Sequence, residues 1–336
     1  MGQRVKVLIT GGAGFIGSTV ASACLDRGIQ PILLDNLVTG RLEFTEGRDF
    51  YLGDIADGGL VDRIFADHPE IAIAVHCAAL IVVPESVAQP IRYYRENVSK
   101  SLDLAEHLVR NGCRRLVYSS SAAIYAPTAT ARVDESSPIA PVSPYARTKA
   151  MVEELLADIA IAHDLRIISL RYFNPIGADP KMRTGLQLAE PSHALGKLIE
   201  AYHNGRPFRI TGVDWPTRDG SGIRDYVHVW DLAEGHVRAI TEFDRVGSAA
   251  GFEAINLGTG QGTTVRELVA GFEDVVGEPL VVQEAPRRPG DVLGCYAATD
   301  KARAVLGWQS RLSLAEGIRH AIDWRAHWFG TRTSIR

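Results

Sequence analysis

The first half of the chain alternates short apolar runs with longer stretches whose apolar residues recur at helical spacing. Val5-Lys6-Val7-Leu8-Ile9-Thr10 is short, rich in β-branched residues and followed by glycine, as a buried parallel strand should be. Residues 18–27 carry a helical period that stops at Gly28, a residue suited to the turn after a helix C-terminus. Pro31-Ile32-Leu33-Leu34 predicts a second strand ending on Asp35. The same pattern predicts a strand over 71–76 that runs into Cys77-Ala78-Ala79, and a helix over 93–109 ending near Asn111-Gly112. It then predicts a strand over 115–119, a long helix over 145–163 and a strand over 166–170. Such alternation means right-handed crossovers and a doubly wound parallel α/β sheet of Rossmann type. Ligands bind such sheets beyond the C-terminal strand ends. That edge collects Ala78-Ala79, Ser119 to Ser121 and Tyr172-Phe173-Asn174, and the small residues among them let a cofactor lie flat.

From about Asn174 the pattern loosens. Gly, Pro and Arg rise, 211–220 reads as loop, 223–229 as a returning strand, and Ala285 to Asp291 as a basic, proline-stiffened loop. Residues 1–173, with a returning segment near 223–256, are expected to form a dinucleotide-binding domain. Residues 174–222 and 257–336 are expected to form a smaller mixed α/β domain that holds the substrate.

Composition narrows the classes. At 336 residues the chain can bury a large core, and 46% hydrophobic with 23% charged residues is ordinary for a soluble globular protein. A net charge of −4 gives no footprint for nucleic acid or an anionic membrane. No apolar run reaches membrane-spanning length, and no cleavable targeting segment opens the chain. The four cysteines, Cys24, Cys77, Cys113 and Cys295, form no C-x-x-C pair. Reduced thiols in a cytoplasmic protein are expected, with no metal site.

Two constellations carry chemistry. The first is Gly11-Gly12-Ala13-Gly14-Phe15-Ile16-Gly17, between the first strand and its helix, spaced G-x-x-G-x-x-G. Glycines permit a tight turn and close backbone approach to a pyrophosphate, and the helix N-terminus offers unpaired N–H groups. Asp35 would accept hydrogen bonds from the adenosine ribose and repel a 2′-phosphate, so NAD is favoured over NADP. The second is Tyr145 and Lys149 in Ser143-Pro144-Tyr145-Ala146-Arg147-Thr148-Lys149, downstream of Ser119-Ser120-Ser121. A tyrosine, ordinarily titrating near ~10, is a poor base. Lys149 one turn later shares its helix face. Its ammonium, with the positive nicotinamide ring, is expected to lower the phenol pKa so that Tyr145 can take a hydroxyl proton. Lys149 could also hold the nicotinamide ribose, and Ser121 would bond the same substrate oxygen.

These stretches resemble the extended short-chain dehydrogenases/reductases and, within them, the UDP-glucose 4-epimerase family. The likeness runs nearly end to end. It is carried by Thr10 to Gly17, Leu34-Asp35-Asn36, Gly53-Asp54-Ile55, Glu85-Ser86-Val87, Ser119 to Tyr125, Ser143 to Lys149, Arg171 to Pro175, Gly222 to Val229 and Ala285 to Asp291. The resemblance implies UDP-hexose 4-epimerisation through a 4-keto sugar with enzyme-bound NAD. It implies Asp54 and Ile55 beside the adenine and Asn97 near the cofactor. Asn36, Ala78, Ala79, Ser119 and Tyr172 are expected along the cofactor too. Asn174, Arg224 and Arg288 would hold UDP, with Asp291 and Cys295 also at the substrate, and arginine forks suit phosphate oxygens. It also implies a homodimer through the helices 93–109 and 145–163, where Leu102, Leu155, Leu156 and Ile159 recur at helical spacing, some of them necessarily facing the sheet.

Three positions depart from the family pattern: Ile81 where a lysine near the cofactor phosphates is frequent, Ala126 where glycine is usual, and Cys295 where some members carry a tyrosine over the sugar. The smaller Cys295 would admit an N-acetyl or other large C2 group; it could equally be a buried packing residue. A nucleotide-sugar 4,6-dehydratase shares the fold and the Tyr-Lys pair, but needs carboxylates where this chain has Ala122-Ala123-Ile124. A noncatalytic NAD-binding protein is the alternative outside enzymes, and it would ordinarily have lost Tyr145 or Lys149.

Overall fold

A computed structural model describes residues 5–128, 130–246, 251–287 and 292–330. Its centre is a seven-stranded sheet. The strands are β1 (Lys6–Thr10), β2 (Gln30–Asp35), β3 (Asp49–Leu52), β4 (Ile71–His76), β5 (Arg115–Ser121), β6 (Arg166–Tyr172) and β7 (Phe252–Leu257). They lie in the order β7-β6-β5-β4-β1-β2-β3, and every pairing is parallel. The helices that position the site are α1 (Phe15–Asp26), α2 (Gly58–Asp67), α3 (Lys100–Arg110), α4 (Pro144–His163), α5 (Ala194–His203), α6 (Val229–Thr241), α7 (Val265–Val276) and α8 (Leu314–Gly330).

Both sheet faces are covered, so the strands read as apolar runs rather than alternating ones. On one face Val7, Ile9, Val75, Val117, Leu170 and Ile255 pack with Val20 and Ala21 of α1 and Leu232 and Val237 of α6. On the other, Leu8, Leu34, Ala74, Leu116 and Ile167 meet Ile64 of α2, Leu104 of α3 and Val152 and Leu156 of α4. Truncating one of these, as in Leu8→Ala, costs about 2–5 kcal/mol. A third cluster draws only on residues beyond 173: Ile176, Leu195, Leu198, Phe208, Leu268, Phe272 and Ile318 join α5, α7 and α8.

The strand order reverses between β1 and β4, the position where doubly wound sheets open a crevice. Gly11 sits there with φ +67, and a Cβ on it would lie 2.7 Å from the Ala78 nitrogen. Only glycine lets the loops after β1 and β4 meet so closely.

Several elements differ from the sequence expectation. The first helix begins at Phe15, before Ser18, because the glycine turn closes at once: Gly14 N–H donates to Gly11 C=O and Ser18 N–H to Gly14 C=O. The helix expected over 93–109 is interrupted by a wide π turn at Arg95–Ser99. That turn carries Asn97, whose amide bonds both the N–H and the C=O of Leu80. The expected strand over 223–229 is two short pieces, Ile223–Arg224 and Tyr226–His228, outside the main sheet and in different pairings. Between them the buried Asp225 carboxylate accepts from the N–H groups of Thr259, Gly260 and Ala297 and turns the chain. Leu156 faces the sheet core, only 1% exposed, whereas Leu102 stays 45% exposed.

Among the described residues no helix is long and apolar enough to cross a membrane, and no cluster of His, Cys, Asp and Glu is placed to hold a metal ion.

Candidate active site

The glycine turn builds one end of the site. Gly17 lies so near Gly11 that a Cβ on it would stand 2.2 Å from the Gly11 carbonyl oxygen. The N-cap of α1 is Gly14, with no side-chain cap, so the first N–H groups of the helix, at Phe15 and Ile16, have no side chain covering them. Asp35, at the end of β2, is buried. One carboxylate oxygen accepts from Ala13 N–H at 3.0 Å and the other from Leu37 N–H at 2.7 Å. Burial pushes its pKa up, and those two bonds draw it back. A carboxylate has about four acceptor positions, which leaves two for a ribose diol. Gly40 closes over it, since a Cβ there would meet the carboxylate at 2.7 Å. An uncapped helix start, a turn only glycine can make and a fixed acid at the neighbouring strand end together fit a dinucleotide.

The residues expected beside the adenine behave differently from one another. Ile55 is buried. Asp54 pairs with Lys100 at 2.6 Å, which also reaches Glu96. Burial raises the Asp54 pKa, but Lys100, Ala56 N–H and Asn36 outweigh it and hold the carboxyl below its usual range. Asn36 is exposed, and its side chain accepts from Val38 N–H. Asn97 is committed to the wall: besides Leu80, its amide donates to Thr148 Oγ1 at 3.0 Å. It fixes the loop after β4, where Ala78 and Ala79 are half-buried. Ile81 on that loop is 58% exposed.

At the other end, α4 starts with Ser143 as N-cap and Pro144 at its first position. In that first turn Tyr145 is buried and bonded to Ser121, the last residue of β5. A turn later Lys149, 3% exposed, donates from Nζ to the Ser119 carbonyl at 2.8 Å and lies 4.9 Å from the Tyr118 ring centre. The chain's own groups, without the nicotinamide charge of the sequence expectation, act as follows on the pair. Burial pushes the Tyr145 phenol above its ordinary range, and the group that draws it back is Ser121, not Lys149. Burial likewise pushes Lys149 down to about 8, against the pull of Cys77 and Glu153. Within the chain's own groups, desolvation outweighs the Ser121 hydrogen bond at Tyr145.

Ser119, expected along the cofactor, is occupied internally. His236 Nδ1 lies 2.9 Å from the Leu232 carbonyl, so it carries the proton and Nε2 accepts from Ser119 Oγ at 2.9 Å. Cys77 Sγ lies 3.1 Å from the same hydroxyl, and Tyr172 bonds it too.

Of the residues expected at the substrate, Asn174 is half-buried and its N–H donates to the Asp225 carbonyl. Arg224 spends Nη1 on the carbonyls of Ile223 and Leu293, at 2.6 and 2.9 Å, clamping the segment before Cys295. Cys295 packs against the cluster of Ala122, Tyr125 and Phe173, and burial pushes its thiol up to about 11. The structure thus brings Cys295 to the turn that follows Ser121. Arg288 and Asp291 lie outside the described residues.

Residues 7–258 match the NAD dependent epimerase/dehydratase family. The chain belongs to that family. A UDP-glucose 4-epimerase of Azospirillum brasilense is 42% identical over 322 residues, covering 95% of this chain and 91% of that protein. A solved UDP-glucose 4-epimerase of Stenotrophomonas maltophila, with bound NAD and formylated UDP-arabinopyranose, superposes with a TM-score of 0.92 at 34% identity, covering 98% of this chain and all of that one. The enzyme of Bifidobacterium longum, in complex with NAD+ and UDP, gives 0.88 at 33% identity, with 96% and 98% covered.

Sequence reasoning missed several residues that hold this family member's site together. Asp225, His236 and Asn256 left no local signal, because their partners are far along the chain. Glu153 left one: it follows Lys149 by four residues and Tyr145 by eight, so it lies on the same helix face.

Proposed function

We propose that this chain is an NAD-dependent UDP-hexose 4-epimerase that interconverts C4 epimers of its sugar nucleotide. The observation that carries the reading is the buried Ser121–Tyr145 pair, with the Lys149 ammonium one turn away at the mouth of a dinucleotide crevice. Tyr145 takes the proton from the C4 hydroxyl and returns it after the 4-keto sugar has turned about its diphosphate linkage. Ser121 bonds the same oxygen and holds it against the phenol. Lys149 keeps a positive charge along the helix face and holds the nicotinamide ribose. Bound NAD supplies the hydride acceptor and donor and a second positive charge, the one the buried phenol lacks in the chain itself. Glycine and helix N–H groups hold its pyrophosphate, and Asp35 its ribose. The same carboxylate disfavours NADP.

The segments 174–222 and 257–336 are assigned to the sugar nucleotide in this reading, with Asn174, Arg224 and Arg288 assigned to UDP and Asp291 and Cys295 to the substrate. Ala122, Ala123 and Ile124 after Ser121 offer no carboxylate for elimination, which favours epimerisation over 4,6-dehydration. The deciding experiment incubates the purified protein with UDP-glucose, UDP-N-acetylglucosamine and UDP-glucuronate without added oxidant, and reads C4 configuration by NMR. Epimerised product is expected; a 4-keto-6-deoxy product or no turnover of any of them would refute the reading.

The four free cysteines suit a reducing compartment, and we assign the enzyme to the cytoplasm. We further propose a homodimer formed by α3, α4 and the short helices before them. Exposed Val87, Ile91, Leu102 and Met151 lie on these elements. Light scattering at micromolar concentration is expected to give twice the chain mass; a monomer mass rejects the dimer.

A further inference from the structure

Behind Lys149 lies a buried ion pair that the proposed chemistry does not use. Glu153 and Arg171 have side chains only 5% and 6% exposed. Arg171 Nη2 donates to Glu153 Oε2 at 2.6 Å, and Nε lies 3.0 and 3.1 Å from the two carboxylate oxygens. Ser169 Oγ adds a bond to Oε1 at 2.8 Å. The other end of the guanidinium, Nη1, donates to Tyr125 Oη at 3.1 Å and to the Glu135 carbonyl at 3.2 Å. Tyr125 Oη donates in turn to Asn256 Oδ1 at 2.7 Å. One pair thus ties α4 to β6, to the turn after Ser121 and to β7.

Lys149 has few charged neighbours. His76 and Cys77 face it from the end of β4, Tyr118 from β5, Tyr172 stands at the end of β6, and Tyr145 and Glu153 share its helix. Burial pushes His76 down to about 3 and Cys77 up to about 11, and pushes Tyr118 and Tyr172 upward, which disfavours the charged form of each, while Tyr145 is the group that exchanges the proton in the proposed reaction. Against that burial Cys77 and then Glu153 pull the Lys149 pKa back up; of the two, Glu153 is the carboxylate, one turn further along the same helix face.

We propose that Glu153, locked by Arg171, is a positioning residue for Lys149: it keeps the ammonium charged in a dry site and holds the helix carrying Tyr145 against the strand ends. The arrangement accounts for a cost that buried ion pairs usually carry. Two apolar residues would serve the fold as well or better, but they would leave Lys149 without a counter-charge. This inference rests on the epimerase reading and deepens it.

The test is the pH profile of UDP-hexose turnover, with NAD bound, for the wild type, Glu153→Gln, Glu153→Asp and the double variant Glu153→Gln/Arg171→Gln. Removing the negative charge lowers the Lys149 pKa, so the alkaline limb of the Glu153→Gln profile is expected to move to lower pH by on the order of one unit. KM for the sugar nucleotide should stay near the wild-type value, and Glu153→Asp should return most of the shift. The double variant strands no charge and is expected to melt nearer the wild type, yet its alkaline limb should remain displaced. A double variant whose limb returns to the wild-type position would show that the shift came from the stranded arginine and would overturn the proposal, as would an unmoved limb in Glu153→Gln. If the wild type itself turns over no UDP-hexose, it is the functional reading that fails, not this one.

Discussion

The two sides of the crevice are built by different means. The proposed cofactor side is made of strand ends and backbone: the turn Gly11 to Gly17 after β1, Asp35 at the end of β2 and Ala78-Ala79 after β4. Parallel register alone brings these together, since Thr10 pairs with both Leu34 and His76. The proposed sugar side is made of side chains on or beside short pairings outside the sheet. Asn174, Arg224 and Cys295 come from three distant segments, and Asp225 holds those segments in place through Thr259, Gly260 and Ala297. A backbone site inherits its geometry from the sheet; a side-chain site depends on a few buried polar contacts. The first should resist substitution away from its glycines, and the second should fail at single points.

The largest expected effect lies at the seam between the two sides. Tyr145→Phe removes only the phenol oxygen, and turnover should fall by at least ~10² and up to ~10⁴-fold, the range of a lost general base. NAD retention and UDP affinity should change little. A variant keeping more than about a tenth of wild-type turnover would remove Tyr145 from the chemistry.

Asp225→Asn is expected to separate the two sides. Its Oδ2 accepts from Gly260 and Ala297 N–H, and an amide nitrogen there would face two donors. Leaving such groups unpaired costs on the order of 3 kcal/mol. UDP affinity should fall tenfold or more, a loss worth about 1.4 kcal/mol, while bound NAD survives purification. Calorimetric titration with UDP and the absorbance of released cofactor report the two independently. Equal loss of both would mean that the sides are not independent.

Cys295→Tyr should give the smallest and most selective change. If Cys295 borders the sugar C2 substituent, the wild type epimerises UDP-N-acetylglucosamine at least as well as UDP-glucose. The added ring should then cut the N-acetylated substrate roughly tenfold relative to the other, within the range of steric discrimination in a pocket. Cys295→Ser should leave the ratio of kcat/KM values unchanged, because the argument needs volume and not the thiol. An unaltered ratio in Cys295→Tyr places the residue away from the sugar. Equal loss of both substrates would mean general damage to the cluster of Ala122, Tyr125 and Phe173.

What the sequence alone determined is whatever has a short period or a fixed local spacing. Apolar runs buried on both faces gave the strands of the sheet, the glycine spacing gave the turn, and a four-residue spacing put Tyr145 and Lys149 on one helix face. These are consequences of backbone geometry within a few residues, and no distant partner can change them. The interrupted helix at Arg95–Ser99, the break at Asp225 and the direction of Leu156 into the core were decided elsewhere. In each case a partner remote in sequence won over local propensity: Leu80 for Asn97, Thr259 and Ala297 for Asp225, the sheet core for Leu156. The electrostatics of the catalytic pair belong to the same class. Spacing placed the lysine beside the tyrosine, but desolvation depends on everything packed around them. Only the folded chain could reveal that burial and the Ser121 hydroxyl act on Tyr145, and burial, Cys77 and Glu153 on Lys149.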